Sequence, residues 1–514
     1  MSSNPTPLPD RLDSTTKSGD AASLESVIWR GADMLHWRVP KAQFRDYLFP
    51  LLFLKRICDV YDEERAAALA EPGADEAFAN DPANHRFVVP AGCHWLDLRN
   101  TTSDVGAAIL RAMSGIERAN PRTLQSIFGD ADWTNKELLP DGILSKLIEH
   151  FNQIDLSNRA APGDVLGRVY EYLLKQFADL SKRKHAGEFY TPRPVVRLLA
   201  NSLNPGPGET VYDPACGTGG MLLEALHHMR EARGAQRGQV EGLLFGQEKE
   251  LSTEAIARMN LFLHGVDDFS IARGDTINYP AFSNSDGSLR KFDCVVANPP
   301  FSMHGWGAKA WETDRWGRNL YGNPPNSNGD FAWFQHMVAS MKPETGRMAI
   351  VLPDGVLFRG KAEGRIRQAV VEADLIEAVI KLGPGLFYGT GLPPCIIIAR
   401  SKKAPERAKR ILFLDASDIY TTQRANNIMT NEQADAIFAL YDEFATVPFR
   451  ARVVELDEIR SEKYDLTVAR YVERERVAAS MTYDQSLTEL RAALDHHEKT
   501  ATELDRLLRE RGLV

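Results

Sequence analysis

The chain has 514 residues, 43% apolar and 25% charged, the balance of an ordinary globular protein with room for two or three domains and sizeable cores. No segment approaches ~18 continuous apolar residues, and the amino-terminal "MSSNPTPLPDRLDSTTKSGD" lacks the apolar core of a leader peptide, so no membrane association and a cytoplasmic location are expected. A net charge of −9 and a pI near 5.8 argue against a protein that coats DNA by itself, because non-specific affinity rests on neutralising phosphates with Lys and Arg.

Residues 1–22 are rich in Ser, Thr, Pro and Asp without periodicity and are expected to be a disordered tail. Over 23–160, stretches such as "FRDYLFPLLFLKRICDVYDEE" and "DGILSKLIEHFNQI" place apolar residues at helical spacing, which predicts a mainly helical domain without a catalytic constellation. The basic run "SKRKH" (181–185) is read as a solvated loop or a local contact. An α/β domain is expected over 161–430: from about residue 190, short apolar runs alternate with amphipathic helices. Those runs are "TVYDPA", "GLLFGQE", "SIARGD", "DCVVANPP", "RMAIVLPDG", "LIEAVIKL" and "CIIIARS". The last two are joined by "GPGLFYGTGLPP", too short for a crossover helix, so they are expected to be antiparallel neighbours in a seven-stranded sheet with a reversed final strand. "ILFLDAS" reads as an additional strand. Residues 431–514 are expected to be a helical, partner-docking region, with Leu487, Leu490, Leu494, His497, Ala501, Leu504 and Leu508 forming a heptad stripe near its end. That stripe suits either packing on its own chain or docking to a partner helix.

Cys58, Cys93, Cys216, Cys294 and Cys395 lie far apart, with no Cys-x-x-Cys pair and no nearby His at ligand spacing. Neither a disulfide framework nor a metal site is indicated, and the cysteines read as small core residues.

Ligands of open parallel sheets bind outside the carboxyl ends of the strands, so the residues at those ends are read together. "VYDPACGTGG" puts Asp213 at a strand end and Gly217, Gly219 and Gly220 in the turn that follows. Leu222 stands where a dinucleotide fingerprint would have its last glycine, which disfavours a nicotinamide dehydrogenase. The second strand ends at Glu248, similar to the acid that accepts from ribose hydroxyls in nucleoside-binding sheets. The third ends in "RGDTI", where Asp275 either receives an adenine amino group or caps a turn. The fourth ends in Asn298-Pro299-Pro300-Phe301, a tetrapeptide that chance would place in a chain of this length only roughly once in several hundred. Asn323-Pro324-Pro325 lacks both the aromatic and the preceding strand, and reads as a loop.

"DPACGTGG" followed by "ANPPF" resembles the cofactor turn and catalytic segment of S-adenosylmethionine-dependent methyltransferases acting on adenine N6 in DNA. "GEFYTP" (187–192) resembles the segment that closes over the methionine part of the cofactor in that family, and the order is that of its gamma arrangement. "FRDYLFPLLFLKRICD", "GRVYEYLLKQFA", "DFAWFQHMVASMKP", "VLPDGVLFRG", "GPGLFYGTGLPPCIII" and "YDLTVARYV" extend the resemblance, over about 25–475, to the modification subunit of type I restriction-modification systems. The resemblance implies a Rossmann-like methyltransferase sheet. It also implies a cofactor site of Glu188, Phe189, Tyr190, Thr191, Pro192, Arg193, Asp213, Gly217, Thr218, Gly219, Gly220, Glu248 and Asp275. A DNA specificity subunit, a restriction subunit, a second copy of the chain and double-stranded DNA are the implied partners. The acidic, His-containing carboxyl-terminal stripe matches the family only in general character.

An adenine N6 lone pair is delocalised into the ring and is a poor nucleophile. The Asn298 side-chain oxygen and the Pro299 carbonyl are expected to accept its hydrogens, the prolines to hold the turn without a competing donor, and Phe301 to stack on the extruded base. The methyl group arrives already activated, so no metal is expected. RNA or a protein glutamine is the alternative substrate, and a scaffold without catalysis is a reading from another class. The absence of a G-x-x-x-x-G-K-[ST] loop assigns any ATP-driven translocation to another chain.

Overall fold

The computed structural model describes residues 21–161, 165–167, 169–170, 172–173, 191–235, 239–266, 268–387, 393–423, 427–473 and 483–510. Residues 1–20 of the expected tail, "SKRKH" and Glu188–Tyr190 of the expected cofactor segment lie outside this set. A helix already begins at Ala21, inside the stretch expected to be tail.

The amino-terminal part is helical, as its periodicity implies. The helix Phe44–Leu69 is buried continuously from Tyr47 to Cys58, so it runs through the middle of a core instead of lying on one. Its two buried cations are both compensated: Lys55 pairs with Asp59, while Arg56 donates to the Leu156 carbonyl and to Asn158 Oδ1 at 2.6 Å. Ala255, Ile256, Met259, Phe262 and Leu263 complete this same core, although they belong to the helix Leu251–Leu263 of the α/β region.

The remaining strands, in chain order, are β1 (Val211–Asp213), β2 (Leu244–Glu248), β3 (Ser270–Arg273), β4 (Cys294–Ala297), β5 (Arg347–Pro353), β6 (Ile376–Leu382), β7 (Pro394–Arg400), β8 (Arg410–Ala416), a small ribbon of β9 (Thr421–Thr422) and β10 (Asn427–Ile428), and β11 (Ala451–Glu455). The main sheet has nine strands in the order β11-β8-β6-β7-β5-β4-β1-β2-β3. β7 runs antiparallel to both β5 and β6, as the short connection requires. One expectation changes: among the described residues the sheet has nine strands where seven were expected, while β7, the last of the seven expected runs, is reversed as expected.

The reason is visible in β8, where Leu412 and Leu414 face one core and Ile411 and Phe413 the other. A strand apolar on both faces has to be interior, so β8 pairs parallel to β6, and the half-buried β11 covers its free edge. The same alternation runs through β4, with Cys294 and Val296 against Val295 and Ala297, and places one helical layer on each face. Arg193–Leu203, Gly220–Glu231 and Asn431–Glu443 cover the first face; Asp330–Ser340 and Lys361–Glu372 cover the second. β1 to β4 therefore end side by side at one edge, bringing Asp213, Glu248, Asp275 and Asn298 to the same side of the sheet.

All five cysteines are buried and unpaired, and among the described residues no His, Cys, Asp and Glu cluster is arranged to hold a metal. No helix among them is long and apolar enough to cross a membrane.

Candidate active site

The turn after β1 is built from both sides. Gly217 and Gly219 have φ of +52° and +80°, backbone that side-chain-bearing residues rarely adopt, and Gly219 caps the helix Gly220–Glu231. Cys216 N–H donates to the Gln247 carbonyl at 3.0 Å, and Asn260 Nδ2 donates to the Thr218 carbonyl at 2.9 Å. Gly217 N–H donates to Glu248 Oε2 at 3.0 Å, while Glu248 Oε1 accepts from Lys249 N–H and Glu250 N–H at 2.8 and 2.9 Å. The Glu248 carboxylate is thereby oriented by three backbone donors and keeps lone pairs for a ligand hydroxyl. Burial raises its pKa above the ordinary value despite those donors.

Asp275 does what its capping alternative required: Oδ1 accepts from Asn278 N–H at 3.1 Å, and Oδ2 lies 3.3 Å from Lys249 Nζ. It also faces a cavity of about 310 Å³ whose wall includes Pro214, Ala215, Glu248, Asp275, Asn298 and Pro300. That one volume joins the ends of the first four strands. Met303 and Trp333 close its side, with Trp333 Nε1 donating to Met303 Sδ at 3.4 Å.

At the end of β4, Asn298 Nδ2 donates to Thr191 Oγ1 at 3.0 Å. Its other amide atom, Oδ1, is buried and accepts no hydrogen bond among the described residues. A buried acceptor left without a partner costs roughly 1–3 kcal/mol, so it marks a place where a donor belongs. Phe301 is half-buried, with its ring 6.3 Å from that of Phe387. The turn then passes through Ser302 at φ +52°, whose N–H donates to Asp330 Oδ1 at 2.7 Å. Asp330 is fully buried and accepts from Arg359 Nη2 at 2.7 Å through its other oxygen. Asp330 and Arg359 thus fix the direction of the strand-end turn, and sequence reasoning did not single them out, although both stand in quoted segments, "DFAWFQHMVASMKP" and "VLPDGVLFRG".

The other expected site residues distribute as follows. Pro192 starts the helix Arg193–Leu203, its carbonyl accepting from Val195 N–H and Val196 N–H at 2.9 and 3.1 Å. Arg193 points to Glu224, 3.9 Å away, and is not part of the cavity wall. Gly217, Thr218, Gly219 and Gly220 do not form that wall either, and reach it only through the Gly217 bond to Glu248.

Asp213 is 1% exposed and directly precedes the wall residues Pro214 and Ala215. Its Oδ1 accepts from Ala215 N–H at 3.0 Å, yet burial, reinforced by the nearby charge of Glu248, pushes its pKa from the ordinary 3.8 up to about 8. The folded state therefore holds this proton longer than the unfolded chain. The associated stability is complete below pH 3.8 and is lost as the pH rises toward about 8. Asp213→Asn, which keeps an acceptor for Ala215 N–H, is expected to raise the melting temperature of the ligand-free protein at pH 8 with little change at pH 4. Thermal melts of both proteins across that range check this; a pH-independent difference would contradict it.

Residues 161–479 match the family model for N-6 DNA Methylase, and residues 24–151 match that of the HsdM N-terminal domain. The type I restriction enzyme MjaIX methylase subunit of Methanocaldococcus jannaschii is 28% identical over 94% of this chain and 90% of its own. The type I restriction enzyme HindI methylase subunit of Haemophilus influenzae is 31% identical over 78% of this chain and 91% of its own. Among solved structures, the type I restriction-modification system methyltransferase subunit from Streptococcus thermophilus superposes with a TM-score of 0.76 at 28% identity, covering 88% of this chain and 100% of the other.

Proposed function

Since the chain belongs to the N-6 DNA methylase family, we propose that it transfers a methyl group from S-adenosylmethionine to N6 of adenine in DNA, as the modification subunit of a type I restriction-modification complex. The observation that carries this reading is the buried, unpartnered Oδ1 of Asn298, a residue that lines the same cavity as Glu248 and Asp275.

The residues present fit that cofactor. An acid whose pKa burial has raised, as at Asp213, is stabilised by a neighbouring cation, and S-adenosylmethionine carries both an ammonium and a sulfonium. Glu248 is oriented to accept from ribose hydroxyls, and Asp275 Oδ2 from an adenine amino group once Lys249 Nζ moves aside. The family resemblance assigns Thr191, Pro192 and Arg193 to the closing part of the cofactor site; Arg193, 3.9 Å from Glu224, would act there through that carboxylate. When bound, the cofactor would supply a methyl group whose bond to sulfur breaks with its electrons staying on sulfur as the amine lone pair forms the new carbon–nitrogen bond, and the methylated nitrogen, then cationic, releases one of its two protons to solvent.

This chain contributes position and electrostatics. Asn298 Oδ1 and the Pro299 carbonyl accept the two N6 hydrogens, drawing the nitrogen toward a tetrahedral geometry and freeing its lone pair for attack. Neither proline offers a donor that would compete for those acceptors. Phe301, backed by Phe387, presents a ring to the extruded base.

A separate specificity subunit reads the DNA sequence in this proposal, and a restriction subunit and a second copy of the chain complete the complex. The helix Tyr483–Glu510 leaves Leu490, Leu494 and Leu504 at 59%, 60% and 56% exposure, all on the heptad stripe. Leucines so spaced and so exposed suit a partner helix. Deleting residues 480–514 is expected to weaken assembly with the partner subunit by at least roughly tenfold, since burying each leucine contributes ~1.5–3 kcal/mol before the costs of association. Titration of the truncated chain against the immobilised partner checks this, and unchanged affinity would place the docking surface elsewhere.

The function itself is tested by purifying the tagged chain with whatever co-elutes from its host and supplying tritiated cofactor with DNA, RNA or protein. Label in DNA, recovered as N6-methyladenine, supports the reading. Label only in RNA or in a protein glutamine would replace it, and cofactor binding without transfer to any of the three would return the chain to a scaffold.

A further inference from the structure

Thr191 belongs to the segment assigned above to the cofactor, yet its side chain meets the amide of Asn298, 107 residues further on. An amide side chain has two unlike ends. If it turns over, a donor replaces the acceptor in the same place, with almost no change of shape. At the end of β4 that difference decides the chemistry, because the target amine must give its hydrogens away and keep its lone pair for the methyl group. Only the orientation with Oδ1 toward the cavity serves, and the inverted amide would set N–H against N–H.

We propose that Thr191 is a positioning residue: its Oγ1, 3.0 Å from Asn298 Nδ2, supplies the acceptor that the N–H end of the amide needs whenever Oδ1 is the end left for the target amine. This rests on the adenine-N6 reading above and assigns Thr191 a duty other than contact with cofactor. The backbone makes Thr191 a firm anchor. It precedes Pro192, which restricts it to extended geometry, and Pro192 is itself fixed at the start of the helix Arg193–Leu203 by two hydrogen bonds to its carbonyl. The opposite end of the strand-end turn is fixed separately, by Asp330 on Ser302 N–H, so loss of Thr191 frees the amide without releasing the turn.

The test uses the complete complex with DNA. Thr191→Val, equal in shape and without an acceptor, is expected to lower kcat roughly 10- to 100-fold with the cofactor affinity unchanged, and Thr191→Ser to restore it. In an Asn298→Asp background, where a carboxylate presents an acceptor in both orientations, adding Thr191→Val is expected to have little further effect. A purely structural role for Thr191 would instead give additive losses. If Asn298→Asp is inactive, the contrast between Ser and Val at 191 decides. Thr191→Val with normal kcat, while Asn298→Ala is inactive, would overturn the inference and leave the function standing. A weakened cofactor affinity with kcat intact would return Thr191 to the cofactor site. An active Asn298→Ala would remove the function reading itself.

Discussion

Asn298→Ala is expected to reduce methyl transfer by at least roughly a thousandfold while leaving S-adenosylmethionine affinity within a few-fold of wild type. The asymmetry follows from where the amide's two ends go. Nδ2 is spent on Thr191, within the protein, and Oδ1 is buried with no partner among the described residues. In this mechanism Oδ1 gains its partner only with the target base, and it holds that partner more strongly as the nitrogen acquires positive charge. An interaction that strengthens in the transition state appears in kcat and not in cofactor binding. The truncated side chain also removes the donor to Thr191, so a melting temperature close to wild type is the control that separates chemistry from folding. Single-turnover transfer to DNA, with calorimetry for the cofactor, measures both quantities. Activity near wild type would exclude this amide from the reaction.

The strand-end residues were legible because their chemistry is local. A Gly-rich turn, an acid at the last position of a strand and Asn-Pro-Pro-Phe each state their geometry within a few residues, and the alternating βα pattern brings them to one edge. Asp275 shows the limit of such reading. Its carboxylate caps the turn through Asn278 N–H and also stands on the cavity wall, so two readings that looked like alternatives coexist. What the sequence did not disclose depends on contacts between distant segments. The Thr191–Asn298 bond, the Asp330–Arg359 pair under Ser302, and the sharing of the helix Leu251–Leu263 between two cores arise only when separate elements pack. The strand count failed for a similar reason: β8 was recognised as a strand, but whether it extends the sheet depends on which edge its two apolar faces find. The expected cofactor segment is divided in the same way, since Thr191 turns to the Asn298 amide and Arg193 to Glu224, whereas the family resemblance had grouped them.

Gly219→Val is expected to weaken S-adenosylmethionine binding by at least roughly tenfold, although Gly219 does not touch the cavity. A Cβ at this position would sit 3.5 Å from the Ala257 carbonyl oxygen and 3.6 Å from Ala257 Cβ, an ordinary contact, so crowding by the first carbon is not the main effect. The backbone is. At φ +80° a β-branched residue is strained by ~1–2 kcal/mol or more, and the turn can relieve this only by rotating out of the left-handed region. Cys216 and Thr218 are held by Gln247 and Asn260, so the rotation falls on Gly217, whose N–H then leaves Glu248 Oε2. The carboxylate loses one of its three orienting donors and turns from the wall on which, in the proposed site, it would meet the ribose. Binding must restore that geometry, and the cost of doing so is the expected loss of affinity. Gly219→Ala, strained but not β-branched, should fall between the two. Calorimetric titration of all three proteins, each shown to be folded by its melting curve, measures the series. Wild-type affinity in a folded Gly219→Val would separate the glycine turn from the cofactor site and leave Glu248 to be positioned by Lys249 and Glu250 alone.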